Sequence, residues 1–145
     1  MASTIAGAKL SATLKQKLYF HDPADATVAT KVPTVWLTLA GVKSILAAVI
    51  VASAHAIVTF KVFAGTDSGG TGATEVVAHA TPTVADAAGD ALYLDCTIEQ
   101  IKDVLPGATH FAVEVDMGTA AALAVVSIIV DQDRRYSGLT ADQIA

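Results

Sequence analysis

A serine in a glycine-rich segment and a histidine shortly before it are the residues of this chain best suited to nucleophilic catalysis. Ser68 lies in residues 66–70, which read TDSGG, and His55 lies in residues 52–56, which read ASAHA. A histidine that accepts the proton of a serine hydroxyl converts that hydroxyl into a nucleophile for acyl transfer. This pair is therefore the first candidate for a catalytic site.

The segment around Ser68 is similar to the GDSGG motif of chymotrypsin-like proteases, but the likeness fails on spacing. Thr66 replaces the first glycine, and only 12 residues separate His55 from Ser68, where that fold places an entire barrel. A chain of 145 residues is also too short for two barrels. The triad is defined by a geometry that a short hairpin loop does not build. We therefore interpret residues 65–72 as a glycine-rich loop and predict no enzyme and no catalytic residue.

The histidines and paired aspartates lack the spacing of metal ligands. None of the histidines pairs with another at i, i+2 or i, i+4; they are His21, His55, His79 and His110. Asp131 and Asp133 form a D-x-D pair beside two arginines, but the glycine and glutamate of a calcium loop do not follow. We predict structural or surface histidines, a solvated turn at the aspartates and no metal site.

Two further features could have indicated a cofactor or a reactive group. The glycine-rich segment 65–72 lacks the GK[ST] ending of a phosphate loop, and no helical pattern follows it. Cys96 is the only cysteine, which excludes an intrachain disulfide and a thiolate metal cage. It falls on the apolar side of its predicted strand, where a buried thiol has a raised pKa and is inert. We predict no cofactor.

Composition points to assembly rather than to nucleic-acid binding. The chain is 53% hydrophobic and only 16% charged, and its mean hydropathy is +0.55. Soluble domains are usually about 25% charged, so we expect apolar surface that partners cover. The net charge of −5, with nine scattered basic residues, makes the chain a poor ligand for polyanions. The lone cysteine fits assembly in a reducing cytoplasm.

The most apolar segment, residues 44–60, raises the question of a membrane span. Its 17 residues are at the lower limit for a spanning helix, and Ser53 and His55 lie near its middle, where polar groups are unfavourable in lipid. Its β-branched and aromatic residues favour strands. We predict two buried strands joined near residues 52–55, no membrane partner, and no signal peptide at the N-terminus.

The elements that position these residues are predicted to be short strands separated by turns. The clearest alternation covers residues 90–97, where Leu92, Leu94 and Cys96 share one side. Thr97 and Gln100 then form a capping-box pattern for one short helix that ends at Pro106. Further candidate strand segments are residues 14–20, 27–31, 35–39, 45–51, 57–63, 75–78, 111–115 and 121–130, of which 27–31 and 75–78 are short.

This spacing predicts an all-β fold, a β-sandwich (Ig-like or jelly-roll-like) of about seven or eight strands with one short helix. Residues 1–13 are mostly small and are predicted to form an N-terminal arm. Residues 14–145 are predicted to form a single β-sandwich domain. The strand at 121–130 is apolar on both faces, which favours a central or interface position.

Short motifs in residues 56–140 resemble small virion proteins of tailed bacteriophages, in particular head decoration (cement) proteins. They are VTFKV at 58–62, DSGG at 67–70, GDAL at 89–92 and DRRY at 133–136. The resemblance implies a non-enzymatic homo-oligomer that binds and stabilises the phage head. Its partners would be the major capsid protein and copies of itself. It would lie on the capsid surface of the virion, after assembly in the host cytoplasm.

Two alternatives stay open. The chain could be another virion subunit, such as a major shell or tail component, or a carbohydrate-binding or adhesion module. Sugar-binding modules usually display surface aromatics, and we expect Trp36 to lie in the core. Within the decoration hypothesis, the arm 1–13 and the apolar last strand are predicted to make contacts between subunits.

Overall fold

The computed structural model describes residues 14–21, 30–119 and 122–132, with side chains from Trp36 onward. This part of the chain forms eight strands and one α-helix, as predicted. The strands are β1 (Leu14–His21), β2 (Thr30–Thr38), β3 (Val42–Val51), β4 (Thr59–Gly65), β5 (Thr74–Ala78), β6 (Ala91–Thr97), β7 (His110–Asp116) and β8 (Ala124–Gln132). Helix α1 (Ile98–Val104) lies between β6 and β7, and a 3-10 turn (Pro82–Val84) precedes β6.

The strands form two four-stranded antiparallel sheets. Sheet A has the order β1-β8-β3-β6, and sheet B has the order β2-β7-β4-β5. Every connection passes from one sheet to the other except the hairpin between β4 and β5. This strand order is that of the jelly roll, a double-sheet fold of eight strands. The all-β sandwich is thus confirmed, and of its two predicted versions the order is that of the jelly roll.

The core lies between the sheets and is built by alternate residues of each strand. In β6, Leu92, Leu94 and Cys96 are buried, whereas Tyr93 and Asp95 are exposed, as the alternation predicted. The largest fully buried side chains come from both sheets and include Phe60, Phe111, Ile45, Ile57, Ile101 and Ile128. Burial of such side chains contributes about 1.5–3 kcal/mol each, which is the main stabilisation of the sandwich.

Helix α1 closes one end of the core. The Thr97 side chain accepts a hydrogen bond from the Gln100 amide at 3.3 Å, and Gln100 Oε1 accepts one from the Thr97 amide at 2.8 Å. The predicted capping box is therefore present. Ile101 is fully buried, and Ile98 and Leu105 pack against the core beside it.

Two boundaries differ from the prediction. Residues 30–31 and 35–38, which the sequence assigns to separate strands, belong to one strand, β2, which runs through Pro33 at the edge of sheet B; residues 27–29 lie outside the described residues. Its register with β7 shifts between Val32 and Leu37. Proline lacks an N–H donor and is accommodated at an edge or irregularity. Strand β4 starts at Thr59, so Val58 lies before it and is exposed rather than facing the core.

Two further differences from the prediction concern β8 and β7, which are central strands of their sheets. Asp131 was predicted to lie in a turn, but strand β8 continues to Gln132, so Asp131 lies in sheet A. Asp133 lies outside the described residues. The sequence of β7 alternates, with Phe111, Val113 and Val115 against Ala112 and Glu114, yet both sides of this central strand of sheet B are buried. The predicted arm 1–13 and the tail after residue 132 also lie outside the described residues.

The apolar segment 44–60 forms most of β3, the connection that follows it and the first residues of β4, as the strand interpretation predicted. Among the residues that the structure describes, no helix is both long enough and apolar enough to cross a membrane.

Candidate interaction surface

The serine and histidine that could have formed a hydrolase pair lie beyond opposite ends of one strand. His55 precedes β4, and Ser68 follows it in the hairpin loop to β5. A seven-residue strand spans about 20 Å, far beyond hydrogen-bond reach. The structure therefore does not bring Ser68 and His55 together, and the predicted glycine-rich hairpin loop is confirmed.

His55 instead contacts Ser53, which the sequence indicated only as a polar residue of the apolar segment 44–60. His55 Nδ1 lies 3.2 Å from Ser53 Oγ, and the same oxygen accepts a hydrogen bond of 2.8 Å from the Leu123 amide. The Ala52 amide also donates to the Leu123 carbonyl at 2.8 Å. These bonds fasten the β3–β4 connection to the segment before β8. Ser53 thus satisfies a main-chain donor, which is a structural role.

The other described histidines are held by their neighbours. His79 stacks on Phe60, with ring centroids 6.4 Å apart, and its Nδ1 accepts a hydrogen bond from the Thr81 amide. His110 Nδ1 lies 2.8 Å from the Thr109 hydroxyl. That hydroxyl donates its proton to the Thr66 carbonyl at 2.7 Å, so His110 is the donor to Thr109.

The described residues contain no cluster of three or more histidine, cysteine or carboxylate ligands. His21 lies in β1. Several aspartates of the loops instead stabilise turns. Asp90 Oδ2 accepts hydrogen bonds from the amides of Asp86 and Ala87, and Asp116 Oδ1 accepts one of 2.7 Å from the Gly118 amide. These side chains define loop conformation.

Asp67 does the same in the β4–β5 hairpin loop. Its Oδ1 accepts hydrogen bonds from the amides of Gly69 and Thr71, at 2.9 and 3.0 Å. A hydrogen bond with the Thr71 side chain, together with these amides, holds the pKa of Asp67 below its ordinary value of 3.8. The carboxylate that precedes Ser68 is therefore part of the loop's framework.

Cys96 is buried in sheet A, as its place on the apolar side of β6 predicted. Burial, and to a smaller extent the neighbouring Asp95 carboxylate, raises the pKa of the thiol to about 11. A thiol with such a pKa is almost entirely protonated at neutral pH, so it is a poor nucleophile.

A cavity of about 410 Å³ opens beside α1, between the helix and the β2–β3 turn. Lys102 lines it, but the Lys102 ammonium already donates a hydrogen bond to the Ala108 carbonyl. Thr109 and His110 line it as well, and they are bonded to each other and to Thr66. The polar groups around this cavity are thus engaged with the protein itself.

The outward-facing side of sheet A is the most distinctive surface of the described chain. Strands β8, β3 and β6 present four rows of residues there, paired by register: Asp131-Ser44-Thr97, Ile129-Leu46-Asp95, Ser127-Ala48-Tyr93 and Val125-Ile50-Ala91. Of six large hydrophobic side chains that are exposed in the described residues, three belong to this face. They are Leu46, Ile50 and Tyr93, at 38%, 42% and 62% exposure.

The apolar residues of this face are contiguous. Half-buried Ile129 and Val125 lie beside Leu46 and Ile50 in the register, and the small Ala48 and Ser127 lie between them. The charged residues of the four rows, Asp95 and Asp131, lie towards one end. A depression of about 430 Å³ occupies that end, and Leu46 and Ile129 line it together with the polar residues Ser44, Thr97, Asp95 and Asp131.

The outer side of sheet B has a different character. Lys61 Nζ and Glu75 Oε2 form an ion pair at 2.8 Å between β4 and β5. The hydrogen bond to Glu75 raises the pKa of Lys61. Glu114 lies opposite Lys61 in the register and is buried on the same side. One face of the sandwich is thus ionic and the other apolar, which marks the outer face of sheet A as the candidate interaction surface.

Comparisons with known proteins give structural similarity only. No protein-family model matches the sequence, and no curated protein matches it. Among solved structures, the chain is similar to the PRD1 vertex protein P5, at 10% identity and a TM-score of 0.41, covering 84% of this chain and 97% of that one. It is also similar to a protein from Bacillus endospore appendages, a family of disulfide-linked pili, at 16% identity and a TM-score of 0.36, covering 83% and 90%. Similarity at this level assigns neither an activity nor a partner.

Proposed function

We propose that this chain is a non-enzymatic structural protein of a virion, which binds the outside of a bacteriophage head and stabilises the shell as a decoration protein. The observation that supports the proposal best is the apolar outer face of sheet A on a jelly-roll sandwich. Jelly rolls occur in viral capsid and lectin domains, so the fold alone is only an analogy. The apolar face adds a physical reason to expect assembly.

The state of the polar loop residues also supports a structural role. Asp67, Ser53 and His110 are residue types that catalyse reactions in other proteins, yet each is engaged within the chain: Asp67 holds its own loop, Ser53 joins two connections, and His110 bonds the neighbouring Thr109. A catalytic group must be oriented towards a substrate. Residues used in this way stabilise a rigid module, which is what repeated attachment to a shell requires.

The proposed partners are the major capsid protein and further copies of this chain. A shell presents the same site many times, so contacts of modest area at each copy add up over the particle. Within this proposal the arm 1–13 and the apolar last strand make the contacts between subunits; the arm precedes β1, an edge strand of sheet A. The proposed location is the capsid surface, after assembly in the host cytoplasm.

Cosedimentation tests the proposal directly. The purified chain is mixed with heads of the phage that encodes it, prepared so that they lack this protein. The bound protein is then measured after centrifugation. We expect saturable binding and heads that withstand higher temperature. A chain that stays in the supernatant at all concentrations contradicts the proposal. A chain lacking residues 1–13 that binds as well as the full chain removes the arm from the mechanism.

A carbohydrate-binding module is the second candidate, and Tyr93 is the observation that favours it. The residue is 62% exposed and lies in the edge strand β6 of sheet A, where an aromatic side chain could stack on a sugar. Trp36, by contrast, is buried, as predicted. Glycan-array binding that Tyr93→Ala abolishes, together with no binding to heads, would favour this candidate over the decoration protein.

A further inference from the structure

We infer that the outer face of sheet A binds the same face of a second copy of this chain, in a two-fold arrangement with the rotation axis along the Ser127-Ala48-Tyr93 row. The inference names the surface and the geometry of self-association. It goes beyond the proposed function and does not depend on it, because two copies can pair without any shell.

The first argument is the size of the face. The backbones of the four strands of sheet A, about 4.8 Å apart with residues about 3.3 Å apart, cover roughly 20 Å by 20 Å, or about 400 Å² in projection, of which β8, β3 and β6 account for about three quarters. Side-chain relief raises the accessible area above this projected value. It then approaches the roughly 600–800 Å² per partner that specific interfaces bury.

The second argument is the pattern of charge. Asp95 and Asp131 lie on the same side of the Ala48 row. A two-fold axis along the strands would place the acidic ends of the two copies opposite each other, which is unfavourable. With the two-fold axis along the Ala48 row, the strands of the two copies run in opposite directions, so the acidic end of each copy lies far from the acidic end of the other. This axis also places the Leu46 and Ile129 row over the partner's Ile50 and Val125 row, so that apolar side chains meet.

The third argument is shape. Ile50 protrudes on one side of the Ala48 row, with 42% of its surface exposed. On the other side lies the depression of about 430 Å³, which has Leu46 and Ile129 in the row nearest Ala48 and Asp131 in the row beyond. The proposed rotation brings the partner's Ile50 over Leu46, at the margin of this depression nearest the axis, and it does so twice. Ala48 and Ser127, which lie on the axis, are small enough to let the two sheets approach to about 10 Å.

Sedimentation equilibrium of the purified full chain at micromolar concentration tests the inference. We expect a reversible dimer. Ile50→Asp places a carboxylate in the interface and should raise the dimer dissociation constant at least about tenfold. Val104→Asp is the matched control, because Val104 has the same exposure of 42% but lies at the end of α1. It should leave the dissociation constant unchanged.

Cross-linking tests the position of the axis. Ala48→Cys should give a covalent dimer with a short bis-maleimide, since each Ala48 would face its own copy, whereas the buried Cys96 thiol should not react. Thr83→Cys, exposed in the 3-10 turn, should be modified without forming dimers. Circular dichroism of each variant confirms that it is folded.

Three outcomes overturn the inference. The first is a dimer that Ile50→Asp does not weaken. The second is a monomer in which the Ala48→Cys thiol is shielded from reagent, which means that another part of the same chain covers the face. The third is a monomer whose Ala48→Cys thiol is accessible and becomes protected only when heads are added. That result would assign the face to the shell, and would leave the proposed function intact.

Discussion

The indole of Trp36 lies directly against the backbone of Gly70, which belongs to the loop between β4 and β5. A Cβ atom on Gly70 would be 2.2 Å from Trp36 Cε2, and one on Gly65 would be 2.9 Å from Trp36 Cζ3. Gly70 also has a φ of +77°, which L-residues rarely adopt. The glycine-rich segment that looked like a nucleophile loop is thus shaped by the need to cover a buried tryptophan.

Gly70→Ala should be strongly destabilising, because the new methyl group meets the indole and the backbone is in the left-handed region. We expect a loss of about 3 kcal/mol in the free energy of unfolding, measured by urea denaturation. Gly72→Ala is the control. Its φ is +67°, but its Cβ would lie 4.0 Å from the nearest atom, so only the backbone term of about 1 kcal/mol should appear. Equal losses in the two variants would contradict the packing argument.

The Cys96 thiol should be unreactive in the folded protein because it is buried and its pKa is raised to about 11. We expect a thiol reagent at pH 8 to modify it only at the rate of unfolding, and to modify it at once in denaturant. The exposed thiol of Thr83→Cys provides the reference rate in the same protein. If Cys96 in the folded chain reacted at that reference rate, its burial in sheet A would be wrong.

The lowered pKa of Asp67 makes the hairpin loop sensitive to acid. The ionised form of Asp67 is stabilised in the folded chain. Its contribution to the free energy of unfolding is therefore complete above pH 3.8 and is lost as the pH falls through the lower folded pKa. The difference in stability between the wild type and Asp67→Asn should shrink as the pH falls through that range. NMR titration should show the pKa of Asp67 rising in Thr71→Val, which keeps the amide donor but removes the hydroxyl. An unchanged pKa in this variant would show that the hydroxyl is not the cause.

The capping box of α1 should act as a coupled pair. Thr97→Ala should lower the free energy of unfolding by about 1 kcal/mol, because the Gln100 amide loses its acceptor. Gln100→Ala removes the reciprocal bond to the Thr97 amide. The double variant should lose less than the sum of the two single losses, as measured in a denaturant double-mutant cycle. Strict additivity would mean that the two bonds act independently.

The fold could be predicted from sequence where the signal is local. The alternation of Leu92 and Leu94 with Tyr93 and Asp95 identified both the strand and its buried side, and the capping box located α1. Strand order could not be predicted in this way, because the pairing of β1 with β8 joins segments from opposite ends of the described chain. Side-chain alternation indicates which face is buried but carries no information about which strand is the neighbour.

The candidate surface was anticipated only as a property of the composition. High hydropathy suggested apolar surface, and the strand containing Ile129 was recognised as apolar on both sides. The contiguous face appears only when the register sets Leu46 beside Ile129 and Ile50 beside Val125. The Ser53–His55 contact was missed for a related reason, since Leu123, which completes it, lies far along the chain.

The pairing of Leu14 with Asp131 has a consequence for how the protein is made. Of the described strands, β1 leaves the ribosome first, but its only neighbour in sheet A is β8, which is the last of them to be synthesised. Sheet A therefore closes only after all eight described strands have been translated. Non-local pairing of this kind slows folding to the range of milliseconds to seconds. Until β8 is made, β1 has no partner in its sheet and β3 keeps one unpaired edge, so the nascent chain exposes strand edges that favour aggregation.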